Sequence, residues 1–132
     1  MHMFLGGSPA DSISGKTLTI YNPATGKPVD TIPDSSADDV AAAVEQASLA
    51  LPKWERVSSA DRARILIHAA ALIRDHAAEL AALLTTEQGK PLREAKDEIL
   101  GTAHVFEYYA SMTVSIRGDA SALPRYGYMN VV

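Results

Sequence analysis

Apolar and polar positions alternate over Thr17-Leu18-Thr19-Ile20-Tyr21, the two-residue period of a strand with one buried face. Asn22-Pro23-Ala24-Thr25-Gly26 follows, a cluster of turn formers in which Pro fixes φ and Gly supplies a positive φ. Pro28 to Ile32 reads as the return strand, which predicts a hairpin closed by a five-residue loop. Pro28 has no N–H to offer a ladder and belongs at the start of an edge strand. Pro33 and the polar Asp34-Ser35-Ser36 cluster end the sheet.

Beyond Ser36 the period becomes helical. Ser36 is the expected N-cap, and Asp38 and Asp39 place negative charge in the first turn, where the helix dipole favours it. Val40, Val44, Ala47, Leu51 and Trp54 form an amphipathic stripe at three- and four-residue spacing. Pro52 is expected to end this helix just before itself, leaving Trp54 to pack from the loop. Ser58 and Asp61 begin a second helix whose buried face is Ile65, Leu66, Ala69, Leu72 and Ile73. Asp75 or His76 caps a third, with Leu80, Leu83 and Leu84 inward. After Pro91 a fourth helix carries Leu92, Ala95, Ile99, Ala103 and Phe106 on one stripe. The tail from Tyr126 to Val132 has strand composition and reads as an element cut short.

The stretch Thr85 to Ile99, TTEQGKPLREAKDEI, interrupts the alanine-rich helices with Gly89-Lys90-Pro91. A phosphate loop would need a Gly five positions before Gly89 and a Ser or Thr after the Lys; Leu84 and Pro91 stand there instead. The glycines, at positions 6, 7, 15, 26, 89, 101, 118 and 127, contain no G-x-G-x-x-G either. Punctuation explains the stretch better: Gly89 suits the left-handed residue after a helix, and Pro91 the first position of the next one.

Composition narrows the chemistry further. The chain has 132 residues, 47% hydrophobic and 21% charged, which suits one domain or a piece of a larger one. Its net charge of -4, without a basic block, excludes the electrostatic footprint of a nucleic-acid binder. With no cysteine there is no disulfide, thiolate metal site or cysteine nucleophile within these residues. His2, His68, His76 and His104 lack the spacing of a helical metal pair, and no serine sits in a G-x-S-x-G context. Arg117-Gly118-Asp119 reads as a loop after a helix, and Trp54, Tyr108 and Tyr109 as core or interface packing rather than a base-stacking platform. The start is too short and uncharged for a signal peptide, and no apolar run reaches membrane-spanning length. A soluble, cytoplasmic protein with no nucleic-acid or membrane partner is expected.

The hairpin YNPATGKPVDTIP, the helix DDVAAAVEQASLALPKW, the segment SSADRARILIHAAALIRDHAAELAALLTTEQGKPLREA and the later EYYAS occur here in this order. Together they resemble the amino-terminal region of NAD(P)-dependent aldehyde dehydrogenases, over roughly residues 3 to 132. E-Q-G-K-P-L-x-E-A-K-x-E-I is most similar to the succinate-semialdehyde and lactaldehyde branch. The resemblance implies an α/β fold with a Rossmann-like cofactor domain in the full enzyme. This piece is expected to be mainly four α-helices plus an antiparallel β-hairpin. Residues 1–132 would be the amino-terminal part of the cofactor-binding domain, and 126–132 a strand leading into the oligomerisation region of a homodimer or homotetramer. The implied reaction oxidises an aldehyde with NAD or NADP: a cysteine thiolate adds to the carbonyl, a hydride passes to the nicotinamide, and water releases the acid from the thioester. That cysteine lies downstream of this region in the family, so the 132 residues alone are expected to be inactive.

The resemblance also implies two sites. A structural monovalent cation would take the carboxylate of Glu87 and the main-chain oxygens of Ile20 and Tyr21; the alternative is a solvated or salt-bridged Glu87. The helix after Gly-Lys-Pro would border the substrate entrance through Asp97, Gly101 and His104, which otherwise form an ordinary solvated face. The competing reading of the whole chain is a stand-alone helical interaction or regulatory module with an unpaired strand at Tyr128 to Val132. If the chain lacks the sheet on which its helices would rest, their apolar stripes are expected to be partly exposed.

Overall fold

Alanine makes the helix contacts of this chain. The computed structural model describes residues 1–115, 120–122 and 129–131. Four helices dominate it: α1 (Ala37–Glu55), α2 (Ser59–Asp75), α3 (Ala77–Gln88) and α4 (Leu92–Met112). A short 3-10 turn, Thr113–Ser115, follows α4. α2 and α3 both pack along α4, and the buried apolar residues at these contacts are Ala70, Ala77, Ala81, Ala95, Ala103 and Ala110. Ala95 and Ala103 have no accessible surface at all. A methyl side chain lets two helix axes approach closely and costs no rotamer entropy. The bidentate pair from Arg74 of α2 to Glu107 of α4 (Nη2–Oε2 2.8 Å, Nε–Oε1 3.2 Å) ties the same two helices at the surface.

The strands form three separate antiparallel ribbons: β1 (Met3–Leu5) with β2 (Ser8–Ala10), β3 (Thr17–Tyr21) with β4 (Pro28–Pro33), and β5 (Ala120–Ala122) with β6 (Met129–Val131). The β3–β4 hairpin and the four helices stand where the sequence pattern puts them. β1–β2 does not follow from that pattern, although Gly6-Gly7 was its signal: both glycines have positive φ, 57° and 88°, as a two-residue hairpin turn requires. The expected unpaired strand at the tail is corrected too. Met129–Val131 pairs with Ala120–Ala122, which satisfies the main-chain groups along one of its edges. The Arg117-Gly118-Asp119 expectation and residues 126–128 lie outside the described residues.

Further expectations change, and Leu83 of α3 and Leu92 of α4, expected inward, are exposed. Helix α1 runs through Pro52 to Glu55, so Trp54 is helical. Pro52 falls in the last turn, where the helix loses one main-chain bond but has almost no length left to disrupt. Pro91 is the N-cap of α4 rather than its first residue, with extended ψ of 137°. The buried side of α2 is rotated: Leu66, Ala69, Ala70 and Ile73 face inward, while Ile65 and Leu72 are about half exposed (51% and 46%). The stripe of α1 does not face a core within these residues. Val40, Val44, Leu51 and Trp54 are between 43% and 60% exposed, and α1 makes only sparse contacts with any other element. Tyr108 and Tyr109 are exposed as well, their rings edge to face at 5.4 Å.

A buried carboxylate anchors α1. Ser36 and Asp39 form a reciprocal cap: the Ser36 hydroxyl accepts from the Asp39 N–H (3.3 Å), and the Asp39 carboxylate accepts from the Ser36 N–H (2.7 Å). The same carboxylate accepts the Ile13 N–H (2.8 Å) and lies 2.9 Å from the Ser12 hydroxyl, so it joins the segment before β3 to the start of the helix. The far end of α1 is held by Arg62 of α2, whose guanidinium lies 5.7 Å from the Trp54 ring centre. The Ile13 N–H, then the Ser36 N–H, hold the Asp39 carboxyl well below its ordinary value of 3.8, against the opposing effect of burial.

Two outcomes are expected. Asp39→Asn lowers the melting temperature at neutral pH, because the amide offers one acceptor oxygen where the carboxylate offers two. The native carboxyl is depressed, so its contribution is complete above 3.8 and declines as the pH falls below that value. The gap between wild type and Asp39→Asn therefore narrows on acidification through this range, which melting curves at a series of pH values would read. Ala103→Leu, which forces three extra carbons into the α2–α4 contact, costs about 1–3 kcal/mol in urea unfolding.

Candidate functional site

Of the segments singled out from the sequence, the β3–β4 turn and Gly89 meet at the corner between α3 and α4. The turn after β3 is fixed by Asn22, whose side-chain oxygen accepts the Ala24 N–H (2.8 Å) and whose carbonyl accepts from Gly26 (2.8 Å). At the end of α3 the chain reverses at Gly89, with φ of 72° and its N–H donating to the Thr85 carbonyl (2.8 Å). The two meet. A Cβ on Gly89 would lie 2.8 Å from Pro23 Cγ and 3.5 Å from the Ala24 nitrogen. Glycine is therefore required at this position twice over, by the left-handed backbone and by the hairpin resting on it. Lys90 reaches forward to pair with Glu98 of α4.

Around this contact lie the proposed cation ligands. Glu87, two residues before Gly89, is partly buried, and it makes no ion pair among the described residues. Ile20 is partly buried and Tyr21 exposed, both at the end of β3 just before the turn that touches Gly89. The contact itself runs through Pro23 and Ala24, with Ile20, Tyr21 and Glu87 flanking it along the chain. Thr85 adds a feature that the sequence did not signal. Its hydroxyl oxygen is buried without a hydrogen-bond partner, whereas that of the neighbouring Thr86 bonds back to the Ala82 carbonyl at 2.8 Å. Among the described residues no three His, Cys, Asp or Glu side chains come together to hold a metal.

Asp97, Gly101 and His104 all lie exposed on α4, opposite the Ala95–Ala103 seam, as their spacing requires. His104 Nδ1 lies 3.7 Å from Glu107 Oε2. Glu107 is already engaged by Arg74, whose hydrogen bonds hold its carboxyl below the ordinary range. The sequence had not singled out this α2–α4 clamp, because residues 33 positions apart carry no local pattern. His2 and His76 pair with Asp11 and Glu79, and no histidine belongs to a cluster of three metal-ligating side chains among the described residues.

The folded chain thus consists of a hairpin turn resting on a helix–Gly-Lys-Pro–helix corner, with a small-residue helix seam beneath, and its sequence contains no cysteine. The chain belongs to the aldehyde dehydrogenase family: the profile described as "Aldehyde dehydrogenase family" matches residues 10–132. Among curated relatives, the succinate-semialdehyde dehydrogenase [NADP(+)] GabD of Escherichia coli (strain K12) is 38% identical over 115 residues, 87% of this chain and 24% of that protein. The D-glyceraldehyde dehydrogenase (NADP(+)) of Picrophilus torridus is 38% identical over 119 residues, 90% of this chain and 24% of that one. The crystal structure of succinate-semialdehyde dehydrogenase from Burkholderia pseudomallei superposes with a TM-score of 0.88 at 36% identity, over 94% of this chain and 26% of that chain. The chain spans about a quarter of the length of the curated relatives it matches.

The Gly89–Pro23 contact has a measurable consequence. Gly89→Ala lowers stability by about 1–2 kcal/mol for the left-handed backbone alone, with a further steric cost from the Pro23 ring. In a Pro23→Ala background the steric part disappears and the backbone part remains, so the cost of Gly89→Ala is smaller there. A double-mutant cycle by urea denaturation measures the difference.

Proposed function

We propose that these 132 residues are the amino-terminal part of an enzyme that oxidises an aldehyde to a carboxylic acid with NAD or NADP. The observation that carries this reading is the family match over residues 10–132, made against relatives of which the chain covers only a quarter. Bound nicotinamide would supply the hydride acceptor. The thiolate that adds to the carbonyl must come from outside these residues, since the chain has no cysteine. The contribution of this segment is architectural: it holds the α3–α4 corner and presents one face of α4. A stand-alone interaction module is not favoured, because nearly the whole chain matches part of a catalytic family.

Within that reading, residues 1–132 form the start of the cofactor-binding domain, and residues 126–132 lead toward the oligomerisation region of a homodimeric or homotetrameric enzyme. A semialdehyde is the substrate class supported by the relatives' names, which include succinate-semialdehyde and glutarate-semialdehyde dehydrogenases. Glu87, with main-chain oxygens of Ile20 and Tyr21, is the proposed seat of a monovalent cation, supported by the approach of the β3–β4 turn to Gly89. Asp97, Gly101 and His104 are the proposed border of the substrate entrance, supported by their exposure on one face of α4. Among the described residues no helix is long and apolar enough to cross a membrane, and a cytoplasmic enzyme is the reading adopted.

The test is kinetic. The purified 132-residue chain, verified by mass spectrometry, is expected to form no NADH or NADPH from succinate semialdehyde, glutarate semialdehyde or lactaldehyde. Measurable turnover would overturn the assignment of the chemistry to residues outside this chain.

A further inference from the structure

We draw no further inference here: the strongest candidate, the open groove between the β1–β2 hairpin and α1, lined by Phe4, Leu5, the polar Gln46 and Ala47, is an unpartnered face, and nothing in the structure shows what covers it.

Discussion

The packing of this chain depends on alanine. Every fully buried apolar residue among those described is an alanine, and no large side chain is completely covered. Hydrophobic stabilisation scales with the apolar area removed from water, at roughly 25 cal/mol per Å². A methyl group contributes far less of it than a leucine or a phenylalanine. The α2–α3–α4 unit is therefore tightly packed but weakly endowed, while the side chains able to contribute more, among them Val40, Val44, Leu51 and Trp54, point outward. A seam of small residues fixes where the helices sit.

Polar contacts hold what the alanine seam does not reach. α1 and the ribbons before it are joined through Asp39, whose carboxylate gathers two main-chain N–H groups and two hydroxyls from separate segments. Such a buried acceptor is sensitive to geometry: each donor it collects would otherwise be left unpaired, so the segments around it must keep their places together. At the other end Arg62 meets Trp54 and also donates to the Val57 carbonyl at 3.1 Å, fixing the α1–α2 corner. The Arg74–Glu107 fork does the same between α2 and α4. These contacts set the directions of the elements without requiring the large apolar residues to be buried.

That division explains how much of the molecule was legible in the sequence. Local chemistry was readable because its causes lie within a few residues. The N-caps at Ser36 and Ser58, the reversal at Gly89 and the hairpin around Asn22-Pro23 each follow from one residue's donors, acceptors or allowed φ. Periodicity also located all four helices. It could not say which apolar face a helix buries here, since a stripe such as Ile65–Leu72 looks alike whether its partner belongs to this chain or not. The orphaned Thr85 hydroxyl and the Arg74–Glu107 clamp depend on tertiary neighbours and left no pattern to read. At the candidate cation site, the sequence placed Glu87 and the hairpin separately. Only the fold brings Pro23 onto Gly89 and so relates the two.

The same corner shows how tightly Gly89-Lys90-Pro91 is held by its neighbours. Gly89 is constrained by its backbone and by the Pro23 ring, Pro91 by the extended entry to α4, and Lys90 by its pair with Glu98. Three successive residues thus answer to three different neighbours, and a substitution at any of them disturbs the hairpin or the start of α4. Few side chains satisfy the geometry of this corner, which is set by the left-handed backbone at Gly89, the Pro23 ring above it and the entry to α4.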